Sequence, residues 1–406
     1  MKLFLNLTAA VLLAAPAAAQ VAVRGGTVYP VSGAPITDGV VVVTDGRIAA
    51  VGPAAEITIP AGYEVLEAAV VTPGLVDVHG TVGLTGIFNQ AHDQDHLETS
   101  EKMQPELRAV DAYNPQEALV AWVRSFGVTT VHTGHSPGAP ISGQTMVVKT
   151  RGATVDEAAL QRETAVAVTL TPPAGPFGGS KMFTTRAKTV ALLRQDLIRA
   201  DEYRRQAARA ADDDEVEAPA RDLHLESLVK VLDGDLALMV TAHRTRDLVN
   251  ALDLAREFDV RLWLDGAAEA HQILPAIRES GVPVLLHPTM MRAFFETENA
   301  SMETARLLRE SGIPFAIQSG YEGYVPKVRV ILFEAAVAAA HGLGTAAALE
   351  AITLAPARIL GLDDRLGSLE VGKDGDLALY DGDPFEYASH CTGVVIEGEV
   401  VSRDVR

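Results

Sequence analysis

The sequence predicts an α/β protein: a (β/α)8 TIM-type barrel carrying a small composite β-sandwich built from both ends of the chain. Three observations carry this expectation. Five segments, GVTTVHTGH (127–135), DLALMVTAH (235–243), DVRLWLDG (259–266), GVPVLLHP (281–288) and GIPFAIQSG (312–320), run through apolar β-formers and stop at a polar group. Continuous apolar runs of this kind suit strands buried on both faces. Helix-like stretches at 246–258, 267–280 and 301–311 lie between most of them, and alternating strands and helices make parallel βα units. Short β-rich runs broken by glycine occupy 20–72 and return in 366–406. They leave about 290 residues between them, enough for a full barrel.

In chain order, residues 1–19 (MKLFLNLTAAVLLAAPAAA) read as a secretory signal peptide. Lys2 is the basic start, Leu3 to Ala15 the apolar stretch, and Ala17-Ala18-Ala19 the small-residue cleavage site, with the cut before Gln20. The stretch is short for a membrane span, and no cysteine follows it to carry a lipid anchor. The mature protein is expected to be soluble and periplasmic or secreted. Residues 20–72 form the first part of the sandwich, with strands near Val21–Arg24, Val40–Val43, Arg47–Val51 and Glu64–Val71. The barrel is expected over 73–365, opening on the strand VVTPGLVDVH (70–79) and including another near 164–171. Residues 186–220 are strongly charged and read as an exposed helical excursion. Residues 366–406 complete the sandwich.

Composition narrows the function classes. There are 34 lysines and arginines against 53 aspartates and glutamates in 406 residues, a formal charge of -19. Such a surface repels phosphate backbones, so nucleic acid is not an expected partner. Cys391 is the single cysteine, which rules out an intramolecular disulfide and a cysteine-rich zinc site. A small-molecule substrate is expected, with no membrane partner after cleavage; homo-oligomer formation is left open.

The chemistry-bearing residues fall at the strand ends, where a barrel of this type keeps its site. They are His79, His132, His135, Thr241, His243, Asp265, His287, Gln318 and Ser319. Histidine and aspartate suit both a zinc-like metal and proton transfer. One such histidine alone does no more than satisfy nearby backbone; the group points to a shared pocket. His132 and His135 are candidate substrate contacts. The segment SGYEGYVPKVR (319–329) adds Tyr321, Glu322, Tyr324, Lys327 and Arg329. Lys327 or Arg329 suits a substrate carboxylate, the tyrosines a pocket wall, and Glu322 a catalytic base. Arg244 is a second anion-binding candidate. The cluster His92-Asp93-Gln94-Asp95-His96 reads as a solvated loop.

The run Pro73-Gly74-Leu75-Val76-Asp77-Val78-His79 resembles the amidohydrolase superfamily, and GSLEVGKDGDLALYDGDPFE (367–386) is similarly typical of it. Ser142-Gly143-Gln144 with Lys149, and Ala242-His243-Arg244, resemble its imidazolonepropionase-like branch. The resemblance implies a metal-dependent hydrolase that cleaves carbon–nitrogen bonds in amides, cyclic amides or small peptides. This sequence departs from the family's ligand pattern. Thr81 stands at the second histidine of the first strand, Thr241 at the strand-5 histidine, Asp265 at the strand-6 histidine and Gly320 at the strand-8 aspartate. No lysine occurs between Lys149 and Lys181 to bridge two metals. Three readings follow. One is a rebuilt site for a single divalent ion such as zinc, with His79, His243, Asp265 and His287 as ligands and Asp265, His287 and Glu322 as catalytic groups. The second is metal-free hydrolysis by a histidine–carboxylate pair. The third is a catalytically inactive binding protein.

Overall fold

The structure, a computed structural model, describes residues 20–88, 90–170, 185–289, 295–321 and 331–406. The expected signal peptide lies outside these residues. The architecture is mixed α/β, with strands β1 (Gln20–Val28), β2 (Ile36–Thr44), β3 (Arg47–Pro53), β4 (Glu64–Pro73), β5 (Leu75–Gly80), β6 (Val128–Thr133), β7 (Ile141–Gln144) and β8 (Met146–Lys149). There follow β9 (Ala159–Gln161), β10 (Ala165–Thr169), β11 (Ala237–Ala242), β12 (Leu262–Gly266), β13 (Val284–Leu286), β14 (Phe315–Ile317), β15 (Leu377–Tyr380), β16 (Cys391–Ile396) and β17 (Glu399–Ser402).

Both ends of the chain meet in one seven-stranded sheet of order β17-β16-β15-β4-β1-β2-β3. Valines alternate through β1 and β2, so Val21, Val23, Val41 and Val43 share a buried face with Leu377, Leu379 and Val395. Gly74 lets the chain pass from β4 into β5: a Cβ there would lie 2.2 Å from Thr129 Oγ1.

A second sheet runs β14-β13-β12-β11-β10-β7, parallel from β10 to β14. Every residue of β10 through β14 is buried, which is why their sequences are continuously apolar rather than alternating. A third sheet runs β5-β6-β8-β9. The short strands β7, β8 and β9 pair antiparallel with their neighbours, a departure from the uniform parallel repeat. Gly143, at φ +135°, lies within β7, and the chain passes from β7 into β8, a strand of a different sheet, through Thr145. Thr145 stitches those sheets together, donating its N–H to Ala165 O at 2.9 Å and accepting from Thr164 N at 2.9 Å. On the other side, β5 and β14 flank residues 351–352: Val76 N donates to Ile352 O and Ile317 N to Ala351 O, each at 2.9 Å.

The charged helix Arg186–Asp212, expected as an exposed excursion, packs inward over its first half, while no residue of 201–212 is buried. Thr185 caps it, and Leu193, Leu197 and Ala200 bury one stripe in the main core. That i, i+4, i+7 stripe is narrow, and the surrounding charges hide it in the composition. Among the described residues, no helix is long and apolar enough to cross a membrane.

Candidate active site

The parallel strands aim their C-terminal ends the same way, and the polar residues predicted there assemble around Asp265. Asp265 ends β12 opposite Thr241 of β11 and is fully buried. Its Oδ1 accepts from His79 Nδ1 at 2.8 Å and from Gln318 Nε2 at 2.7 Å, while Oδ2 accepts from Thr241 Oγ1 at 2.6 Å. Burial alone would raise its pKa, but His79 and these donors outweigh it and hold the carboxyl down to about 2. An ionised carboxylate only accepts, so His79 donates through Nδ1 and keeps its lone pair, when neutral, on Nε2. His79 Nε2 is buried and has no hydrogen-bond partner among the described residues.

Tyr321 lies over this pair. Its ring centroid is 5.3 Å from that of His79 and 5.8 Å from that of His287, and its hydroxyl is 3.3 Å from His243 Nε2. Gly266 makes room for His243: at φ +80°, a Cβ there would sit 2.5 Å from the imidazole Cε1. His79, His243, His287 and Asp265 are therefore neighbours of one another or of Tyr321. They do not form the single-ion centre expected from their types. Three or four converging ligands are needed for zinc, and among the described residues no group of three His, Cys, Asp or Glu side chains is placed to hold a metal. Both oxygens of Asp265 are already committed to side chains. As arranged, these donors do not fit a metal.

His132 is a support and not a substrate contact. Its Nδ1 donates to Val78 O at 2.7 Å, which leaves Nε2 to accept from Thr145 and Thr164 hydroxyls at 2.8 and 2.9 Å. Trp263 packs edge-on at 5.6 Å. Burial, reinforced by the His79 charge, pushes its pKa down to about 4. The consequence for stability follows from the sign. A folded value below the ordinary 6.5 means that the unfolded chain binds a proton first. The neutral ring's contribution is full above 6.5 and is lost as pH falls through about 4. The gap corresponds to roughly 3 kcal/mol. Urea unfolding from pH 7 to 4 is expected to show the wild type losing more stability on acidification than His132→Asn; parallel curves would contradict this.

Other predicted residues take different places. His135 is buried beside Gly143, whose hypothetical Cβ would be 2.4 Å from the imidazole Cδ2, and burial pushes its pKa down to about 4. Arg244 is not an open anion site, because Glu269 (3.0 Å), Glu298 (2.8 Å), Glu296 (3.4 Å) and Phe295 O (2.7 Å) already hold its guanidinium. Lys149 points away from the site to Asp374 and Asp376. Glu322, Tyr324, Lys327 and Arg329 lie outside the described residues, as does Lys181. Sequence reasoning placed Thr241 and Gln318 at strand ends but did not assign them as partners of Asp265. Their hydrogen-bonding capacity beside a lone strand-end carboxylate was the available signal. Asp77 is a further buried carboxyl, accepting from Ser319 N at 3.1 Å and from the Ser319 hydroxyl; burial raises its pKa to about 6. It ties β5 to the end of β14. A cleft of about 250 Å³ beside Gly312–Phe315 opens at the other end of β14 from Gln318.

Comparison with known proteins gives relatives of one kind. Residues 333–402 match the Amidohydrolase family. The amidohydrolase tasK of Hapsidospora irregularis is 26% identical over 374 residues, covering 85% of this chain and 38% of that protein. The imidazolonepropionase of Shewanella baltica is 30% identical over 154 residues, 36% of each. The matched stretches thus span less than two fifths of these curated relatives. The crystal structure of an amidohydrolase from Thermotoga maritima superposes with a TM-score of 0.86 at 28% identity, covering 95% of this chain and 100% of that one. Together these matches make the amidohydrolase family the one this chain resembles, with imidazolonepropionases among its distant relatives.

Proposed function

We propose that this protein hydrolyses carbon–nitrogen bonds in small molecules such as amides, cyclic amides or small peptides, with His79 and Asp265 as its working pair. The observation that carries this reading is the buried 2.8 Å contact of His79 Nδ1 with Asp265, which leaves Nε2 without a partner among the described residues. A histidine held this way takes a proton from water through Nε2, and the carboxylate fixes its tautomer and stabilises the imidazolium that forms. Thr241 and Gln318 keep Asp265 ionised and oriented.

The reading includes the setting of the site. The two inner sheets make one (β/α)8 barrel over 73–365, with seams at Thr145 and at residues 351–352. Segments 20–72 and 366–406 make the accompanying sandwich domain. The chain is exported after cleavage near Gln20 and meets its substrate as a soluble protein. Amidohydrolases commonly bind zinc, and the test must let metal answer for itself.

The mature protein is assayed against amides, lactams, lactones and dipeptides, with and without a chelator, beside elemental analysis. The expected result is turnover of a carbon–nitrogen substrate that survives chelation. About one equivalent of zinc, lost in both His79→Ala and Asp265→Ala, would replace the pair with a single-ion site. Tight ligand binding without turnover across the panel would favour the inactive binding protein.

A further inference from the structure

We propose that Asp77 and Ser319 are the positioning residues of the His79–Asp265 pair: together they set the separation at which His79 meets its carboxylate. The kinetic side of this proposal rests on the hydrolytic reading above. The two members of the pair stand on different sheets. His79 belongs to β5, an edge of the four-stranded sheet, and Asp265 to β12, inside the six-stranded sheet that ends at β14. Backbone pairing within either sheet therefore does not fix the 2.8 Å contact between them. Residues 351–352 bridge the seam one or two residues earlier, taking one N–H from Val76 and one from Ile317. At the site, Asp77 joins the two edges directly. Its Oδ1 accepts from the N–H of Ser319 at 3.1 Å and from the N–H of His79 at 3.4 Å, and its Oδ2 accepts from the Ser319 hydroxyl. Asp77 and Ser319 are both buried.

The consequence follows the covalent chain. Ser319 is the residue after Gln318, whose Nε2 donates to Asp265 Oδ1 at 2.7 Å. One buried carboxylate thus holds the main chain of His79 on one side. On the other it holds the main chain that carries a donor to Asp265. Asp265 Oδ1 is the meeting point, because it accepts from His79 and Gln318 alike. If the two edges drift apart, Gln318 draws away from β5, and the oxygen it shares with His79 cannot keep both bonds short. A pair that moves a proton works only near its productive geometry, and a misplacement of about 1 Å costs up to about 100-fold. Neither Asp77 nor Ser319 touches substrate in this role; both act through His79.

Ser319→Ala removes one bond of the seam and nothing larger than a hydroxyl, and Ser319→Thr keeps that bond. Asp77→Asn weakens the same bonds from the other end. Circular dichroism checks that each variant folds. Two readouts separate positioning from mere support. The first needs no substrate: the His79 Nδ1 proton, identified by its loss in His79→Gln, is followed by NMR. It is expected to move upfield in Ser319→Ala and Asp77→Asn, as the bond to Asp265 lengthens, and to return in Ser319→Thr. The second is kinetic. On a carbon–nitrogen substrate, the kcat of Ser319→Ala should fall about 10- to 100-fold with KM within a few-fold, and Ser319→Thr should recover it. In the His79→Gln background the same substitution should cost nothing further, since residues that act as a unit are not additive. An unmoved proton with unchanged kcat would overturn the proposal and leave Asp77 and Ser319 as packing residues. An equal cost of Ser319→Ala with and without His79 would also overturn it, by placing Ser319 on the substrate. A moved proton in a protein that turns over no carbon–nitrogen substrate would uphold the positioning and overturn the hydrolytic reading instead.

Discussion

Asp265→Asn is expected to lower kcat by about 10²–10⁴-fold, the span of general acid–base effects, while leaving the fold intact. The substitution is close to isosteric. The amide oxygen can still accept from His79 and Gln318, and the amide nitrogen can turn to the Thr241 hydroxyl, which accepts as well as donates. What disappears is the negative charge opposite His79 at the moment His79 takes a proton. Because Asp265 is held down to about 2, it stays ionised at every pH used for assay, so the acid limb of wild-type activity does not belong to it. Steady-state kinetics checks this: kcat should fall with KM within a few-fold. A variant with near wild-type kcat would remove Asp265 from the chemistry.

Lys149→Ala should destabilise the protein by about 3–5 kcal/mol, the cost of leaving buried charge unpaired. Lys149 is almost fully buried. Its ammonium donates to Asp374 at 3.0 Å and to Asp376. Asp374 also meets Arg365 at 2.9 Å, but among the described residues the Asp376 carboxylate otherwise accepts only from the N–H of Glu397, at 2.9 Å. Removing Lys149 strands that carboxyl, whose pKa burial already raises. The loss would be a large share of a typical domain's stability. Urea unfolding of wild type beside Lys149→Ala measures it, and a change below about 1 kcal/mol would contradict the account. The folded fraction of the variant should keep its kcat, since Lys149 joins β8 to the segment before β15 and does not reach the strand-end histidines. A lysine that bridged metals would behave in the opposite way.

Much of this was legible because strand burial leaves a simple trace. Runs such as ALMVTA and LWLDG are apolar until the last residues, so their polar ends mark the site: Thr241, Asp265, His287 and Gln318 were all found this way. The family likeness at Pro73–His79 and 367–386 came from local runs whose order survives in sequence. Pairing was less legible. Periodicity says which side a residue faces and not which partner it reaches, so Asp265 looked like a ligand when it is the acceptor of His79, Thr241 and Gln318. Arg244 looked like an anion site because three glutamates that hold it, Glu269, Glu296 and Glu298, lie far from it in the chain. His132 looked like a substrate contact because nothing local announces that Val78, Thr145 and Thr164 enclose it. The helix Arg186–Asp212 looked solvated because its charges outnumber the stripe of Leu193, Leu197 and Ala200. The antiparallel strands β7, β8 and β9 escaped notice because each is too short to leave a period.

The most direct test of the central claim is the kcat of His79→Ala on a carbon–nitrogen substrate that the wild type turns over. The account predicts a fall of at least about 100-fold with substrate affinity largely kept, because the residue moves a proton and does not hold the substrate. An unchanged kcat, or a loss confined to affinity, would contradict it.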